Sequence, residues 1–242
     1  MNAPVLWEIP SRTISSKELS EKKEALKQCL IGIAAQFADV RFATSLAAED
    51  MVITDAIAKG NLPITLFTLA TGRLHQETSE MIKFTEDHYE IVIAKAYPLE
   101  SDVNDFIGQY GINGFYDSEE AKQACCGVRK IKPLNLALNG ANAWITGQRR
   151  EQSTTRLDLN LFEIDDARGI AKFNPLFDWS ENEVWAYIKQ EEVPIHPLHL
   201  KGYPSIGCEP CTRPVKRGED IRAGRWWWLQ SERKECGLHV NA

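Results

Sequence analysis

Val40-Arg41-Phe42-Ala43-Thr44-Ser45-Leu46-Ala47-Ala48-Glu49-Asp50 passes from a short apolar run, through small residues, into the acidic start of a helix. Residues 40–43 read as a buried strand, and the following helix extends to about residue 59. A strand that feeds a helix in this way presents backbone N–H groups and the positive end of a helix dipole to an anion. No glycine lies between Val40 and Asp50. The stretch therefore fits a capped βα turn as well as an anion seat.

The same unit repeats on either side. Residues 16–37 carry apolar side chains at helical intervals (Leu19, Leu26, Leu30, Ile33, Phe37), with Ser15 or Ser16 as cap and Cys29 on the apolar stripe as a packing thiol. Residues 64–69 form a second strand ending in Ala70-Thr71-Gly72-Arg73, followed by a helix over about 75–88. A third strand spans 89–96 and a helix 101–110, closed by Gly111. Residues 125–138 read as a helix with a kink at Pro133. A fourth strand at 143–146 leads into Gly147-Gln148-Arg149-Arg150, residues 159–164 and 170–173 form a hairpin, and 180–191 form a helix with a Ser180/Glu183 capping box. Strands alternating with helices imply an α/β, doubly wound, mostly parallel sheet of the Rossmann-like kind. Ligands of such sheets bind outside the carboxyl ends of the strands. Ser45, Gly72-Arg73 and Gly147–Arg150 all fall there.

The chain has 242 residues, enough for one sizeable α/β domain, with a C-terminal arm from 196 to 242 packed on a sheet unit of 1–195. A net charge of −6 argues against nucleic acid as partner, and no run of eighteen apolar residues is present to span a membrane. The first nineteen residues lack a basic segment followed by an apolar core, so a cytoplasmic protein is expected. Oligomeric state is not legible, and a homo-oligomer is left open.

Five of the six cysteines stand out. Cys125 and Cys126 are adjacent, Cys208 and Cys211 flank Glu209-Pro210, and Cys236 lies alone near the end. Two pairs at short internal and long mutual spacing read as four thiolates meeting at one inorganic centre. The spacing leaves an iron–sulfur cluster, a zinc ion and redox-active thiols open. It favours the cluster, because adjacent side chains diverge and suit separate irons better than two corners around one ion. Lys130, Arg149, Arg150, Arg222 and Arg225 concentrate cations near these pairs in an otherwise acidic chain, the mark of an anionic ligand. Cys236, beside Arg233, Lys234 and His239, is a candidate nucleophile. Trp226-Trp227-Trp228 is expected to pack in the interior.

Taken with Thr71-Gly72-Arg73-Leu74-His75, Cys125-Cys126-Gly127-Val128-Arg129-Lys130, Gly147-Gln148-Arg149-Arg150-Glu151-Gln152-Ser153, Gly207-Cys208-Glu209-Pro210-Cys211 and Glu235-Cys236-Gly237-Leu238-His239, the chain resembles the sulfonucleotide reductases of assimilatory sulfate reduction, on the adenylyl-sulfate (APS) side of that family. The resemblance implies an adenine nucleotide alpha hydrolase-like fold with the nucleotide bound within 1–195. It implies thioredoxin-dependent reduction of APS to sulfite and AMP through an S-sulfocysteine at Cys236, on the route to cysteine biosynthesis. Cys125, Cys126, Cys208 and Cys211 would hold a 4Fe-4S cluster. Ser45, Gly72, Arg73, Lys130, Arg149, Arg150, Arg222, Arg225 and His239 would contact substrate. Ala70 departs from the pattern, since the family usually has Asp before Thr-Gly-Arg. The nearest alternative is reduction of the 3′-phosphorylated nucleotide (PAPS), or of both nucleotides. An ATP pyrophosphatase-type ligase, which leaves Cys236 unexplained, and a non-enzymatic redox sensor are the alternatives from other classes.

Overall fold

The computed structural model describes residues 4–11 and 14–229. Seven helices and six strands alternate along them: α1 (Ser16–Gln36), β1 (Val40–Ala43), α2 (Ala48–Lys59), β2 (Ile64–Leu69), α3 (Gln76–Tyr89), β3 (Ile93–Ala96), α4 (Glu100–Tyr110), α5 (Glu119–Cys126), α6 (Lys132–Leu138), β4 (Ala143–Ile145), β5 (Phe162–Asp165), β6 (Ile170–Phe173) and α7 (Glu181–Gln190). The strands form one sheet in the order β3-β2-β1-β4-β6-β5. Every neighbouring pair is parallel except β5 with β6. The chain therefore winds one way from β1 through β2 to β3, and the other way from β4 to β6. The switch between the two directions lies between β1 and β4, where Val40 pairs with Ile64 on one side and Ala143 on the other.

Alternation along the strands builds two apolar layers. Phe42, Leu66, Ala143 and Ile145 join residues of α1, α2 and α7 in the larger one. Phe67 and Trp144, one step out of phase, pack with Leu134 and Leu138 of α6. Cys29 packs against the larger layer while half-buried, and burial pushes its thiol up.

Most boundaries follow the sequence reading, and three differ for local reasons. The third strand begins at Ile93, not Tyr89, because α3 runs on through Tyr89. The Tyr89 hydroxyl donates to Asp55 at 2.8 Å, and Glu90 then takes a left-handed conformation (φ 54°) that ends the helix. The hairpin's first strand begins at Phe162, since Leu159 turns inward and its carbonyl accepts from Arg150 Nε. The expected kink at Pro133 takes the form of a π turn over Gly127–Ile131, with Pro133 in the first turn of α6. Proline has no N–H and its ring crowds the carbonyl four residues back. The chain widens by one residue instead, and the Lys132 N–H reaches the Gly127 carbonyl.

The described residues 196–229 return to earlier parts of the chain. Antiparallel bridges tie Lys216 to Leu6, and Cys208 to Leu74. The Ser180 capping box on α7 is present, with Glu183 N–H donating to Ser180 Oγ at 3.2 Å and the Glu183 carboxylate accepting from Ser180 N–H. Removing one half of it by Ser180→Ala is expected to cost about 1 kcal/mol. Chemical denaturation should show this as a lower midpoint at unchanged slope.

Candidate active site

A cavity of about 240 Å³ opens at the carboxyl ends of β1, β2 and β4. The loop after β1 contributes Thr44, Ser45 and Ala47, and the loop after β4 contributes Gly147, Gln148 and Arg149. Asp50 joins the two. Its carboxylate accepts from both the N–H and the hydroxyl of Ser45, each at 2.6 Å. It also accepts from the backbone N–H of Gly147. Gly147 has to be glycine here, because a Cβ would lie 2.0 Å from Asp50 Oδ1. The donors that the small-residue loop offers are thus already occupied by a carboxylate of the same chain. Burial raises the Asp50 carboxyl to about 6, helped by the neighbouring charge of Glu49 and opposed by the Ser45 and Gly147 bonds.

Beside it, Arg149 is 2% exposed and already paired. It donates to Glu49 Oε1 at 2.7 and 2.9 Å and to the Trp179 carbonyl at 3.1 Å. Burial pushes the Glu49 carboxyl up most strongly, but the Arg149 charge together with hydrogen bonds from Gln152, the backbone and Arg149 holds it below the usual carboxylate range. The cavity is also lined by Lys130, Arg222 and Arg225, which make a basic wall together with Trp226.

A second, smaller cavity of about 20 Å³ lies next to this basic wall, and Cys125, Cys126, Cys208 and Cys211 all line it. Lys130 and Cys208 line both cavities. Three connections bring distant parts of the chain to this point. The Leu74–Cys208 bridge and the Glu209 N–H to Arg73 carbonyl bond (2.8 Å) clamp the loop after β2 onto the Cys208–Cys211 turn. Arg129, carried by the π turn beside the other cysteine pair, donates to the Thr71 carbonyl at 2.8 Å. Gly72 takes φ +73° where Arg129 passes, and a Cβ there would lie 3.2 Å from the guanidinium.

None of the four thiols is joined in a disulfide, and Cys208 Sγ lies 3.2 Å from Thr71 Oγ1. Burial, then the proximity of Cys208, pushes Cys211 up to about 12. Burial likewise raises Cys125, against the pull of Arg129. Three buried thiols and the half-buried Cys125 are thus drawn together around one small cavity, with Arg129 and Lys130 beside them. Among the described residues, no three or more His, Cys, Asp or Glu side chains gather as a site for a single metal ion.

The candidate residues therefore divide. Ser45, Lys130, Arg149, Arg222 and Arg225 line the large cavity. Arg73 lines the thiol cavity, donates to the Ile112 carbonyl and Asn113 Oδ1, and stacks on Phe115. Gly72 holds the loop between the two. Arg150 is not in either wall; it covers the Phe177 ring and bonds the Leu159 carbonyl. Ala70 directly follows β2 and bonds through its backbone, its N–H donating to the Ala96 carbonyl. Cys236 and His239 lie outside the described residues. Sequence reasoning did not single out Asp50, Glu49, Gln148 or Trp226. The acidic pair at a helix start was legible only as dipole compensation.

Residues 39–214 match the family model described as the phosphoadenosine phosphosulfate reductase domain. A relative from Neisseria meningitidis serogroup A, named adenosine 5′-phosphosulfate reductase, is 55% identical over 98% of this chain and 98% of its own. The chain belongs to this family. Among solved structures, the phosphoadenylyl-sulfate reductase of Candida auris superposes with a TM-score of 0.67 at 24% identity, covering 84% of this chain and all of that one. An FMN adenylyltransferase of Candida glabrata reaches a TM-score of 0.59 at 13% identity, over 90% of this chain and 77% of its own. Both likenesses concern the fold, a doubly wound and mostly parallel sheet. The span matched by the reductase family model contains all four lining cysteines and ends before Arg222 and Arg225.

Asp50 gives the site a pH signature. Its folded value of about 6 lies above the roughly 3.9 of an unfolded aspartate. The folded state thus holds a proton that the unfolded chain has shed. The stability from this group is full below about pH 4 and is lost as pH rises through about 6. Across that window the stability of wild type minus that of Asp50→Asn should fall by up to about 3 kcal/mol. Denaturant midpoints at pH 4.5 and 7.5 measure it, and a difference that does not move with pH excludes the assignment.

Proposed function

We propose that this protein reduces adenosine 5′-phosphosulfate to sulfite and AMP in assimilatory sulfate reduction. The observation that carries the reading is a cavity of about 240 Å³ at the carboxyl edge of the sheet, lined by Lys130, Arg222 and Arg225, whose Lys130 also lines the small cavity where four cysteines meet. The name of the 55% identical relative supports it. The adenosine end would lie over the β1 and β4 loops, near Ser45 and Gly72. The phosphosulfate would lie against Lys130, Arg222 and Arg225, with Arg149 set back behind Glu49 and Arg150 supporting the loop after β4 from outside.

The chemistry follows from those positions. The Cys236 thiolate attacks the sulfate sulfur, the bond from sulfur to the bridging oxygen breaks, and AMP leaves with the electron pair. The basic wall offsets the charge that grows on that oxygen. Cys236 then carries an S-sulfo group. A thiolate of a dithiol protein of the thioredoxin class attacks the Cys236 sulfur and expels sulfite. Its second thiol resolves the mixed disulfide, so the reductant is oxidised and Cys236 returns as a thiol. His239 would orient substrate or nucleophile.

Cys125, Cys126, Cys208 and Cys211 would hold a 4Fe-4S cluster, whose bound form supplies ligand rigidity and local field to the anion pocket. Lys130, which lines both cavities, is the residue through which that field would reach the substrate. In this reading residues 196–242 form an arm that carries one cysteine pair and the nucleophile Cys236, and 1–195 form the nucleotide-binding unit. No described helix is long and apolar enough to cross a membrane. The reading places the enzyme in the cytoplasm, where free thiols and a dithiol reductant coexist.

The family model and the Candida auris structure are named for the 3′-phosphorylated nucleotide, so PAPS is the second reading. One experiment addresses both. The protein is incubated with 35S-labelled APS or PAPS, without reductant, and digested. Label on the Cys236 peptide from APS, absent in Cys236→Ser, is the expected result. Equal labelling from PAPS would make the enzyme dual, and label elsewhere would displace Cys236 as nucleophile.

Protein purified without oxygen should contain about four irons and four sulfides per chain, as a cubane on four cysteines requires. Cys125→Ser and Cys211→Ser should each lose that iron. Stoichiometric zinc without visible absorption would count against the cluster.

A further inference from the structure

Trp226 departs from its surroundings in three independent ways. It is a bulky residue at φ +42°, a conformation that side chains of its size rarely adopt and that persists only where neighbours impose it. It is 1% exposed, and its backbone N–H donates to the Cys211 carbonyl at 3.0 Å, so the strained residue is pinned to a cysteine turn. Three cations gather on its indole: Lys122 Nζ at 4.5 Å, the Arg225 guanidinium carbon at 4.7 Å and Lys130 Nζ at 6.0 Å from the ring centroid. All three are themselves buried. Cations in a dry site repel one another strongly, and an indole face is the aromatic surface that attracts them best.

The ring stands in the wall of the large cavity beside Arg222 and Arg225, and packs in the same apolar cluster as Cys208 and Cys211. Arg225 is also held from its other neighbours. It donates to Ser205 Oγ and the Ile206 carbonyl, and a Cβ on Gly207 would lie 2.5 Å from its guanidinium. The guanidinium is thus fitted between the Gly207 backbone and the indole.

We infer that Trp226 is a positioning residue for the anion end of the substrate: its indole sets Lys130 and Arg225 in the cavity wall, with Lys122 as a third cation on the same ring. The inference rests on reading the cavity as a nucleotide site. Its consequence is selective. Losing the ring should weaken ligands that carry the 5′-phosphate and leave the nucleoside end untouched. A residue that served only to fill space would affect both ends together.

Calorimetric titration of the intact protein with AMP and with adenosine, at fixed ionic strength, separates these outcomes. Trp226→Leu should weaken AMP about tenfold or more, as expected for loss of desolvated cation–π contacts, with adenosine within about twofold of wild type. Trp226→Phe, which keeps a ring with a weaker face, should weaken AMP by about threefold and spare adenosine. Should the leucine variant fail to fold, the phenylalanine variant decides. AMP affinity unchanged in either folded variant, or AMP and adenosine falling together, overturns the assignment. Wild-type protein that binds neither APS nor AMP would instead refute the nucleotide reading, before any variant is made.

Discussion

The Asp50 carboxylate holds together the two loops that part at the switch point of the sheet. β1 and β4 run side by side, but the chain leaves them toward opposite edges. An opening is the natural result, and its width depends on what spans it. Asp50 spans it from the first turn of α2, taking two donors from Ser45 and one from Gly147. Two consequences follow. The positive end of α2 is already compensated within the protein, so this end of the cavity is suited to a neutral nucleoside more than to a phosphate. In the proposed reading the anionic part of a ligand is left for Lys130, Arg222 and Arg225, which line the same cavity.

Lys130 and Cys208 line both cavities, so the two are built as neighbours with common residues. The thiol cavity is assembled from three loops that share few residues with the sheet. Arg129 on Thr71, Glu209 on Arg73 and Cys208 on Leu74 are all contacts between the loop after β2 and one or other cysteine pair. The Thr-Gly-Arg stretch is therefore a clasp. Its backbone carbonyls and its positive-φ glycine do the holding, and the Arg73 side chain points to Phe115 and Asn113. A polar residue at position 70 is not needed for this clasp, since Ala70 contributes only its N–H to the Ala96 carbonyl.

Much of this was legible from residue patterns. The alternation of strands with helices, the Ser15 and Ser180 caps and the mostly parallel sheet all follow from local rules, and the structure agrees. Convergence of the four cysteines was legible because thiols at such spacing have few other uses. What escaped were relations that need tertiary distance. Asp50 and Glu49 look like ordinary first-turn acids until the loop after β4 arrives with Gly147 and Arg149. Arg149 and Arg150 are adjacent and equal in sequence, yet one is buried against Glu49 and the other lies over Phe177. The tryptophan run reads as packing, and packing describes Trp228 against Phe115 and Tyr116. Nothing in the run distinguishes Trp226 as the member with cations on its face.

The π turn over Gly127–Ile131 also acts as a phase adjustment. An α-helix advances about 100° per residue, so one extra residue in a turn rotates everything after it by about that angle relative to everything before. Upstream of the turn the chain must aim Cys125 and Cys126 at the thiol cavity. Downstream it must aim Leu134 and Leu138 at the sheet. In a regular helix those two demands would be out of step. The wide turn lets a single continuous run of helix serve both, which makes the number of residues between Cys126 and Leu134 a constraint separate from their identity. Substitutions in this stretch change side chains, whereas an insertion or deletion of one residue would turn either the cysteines or the leucines away from their targets.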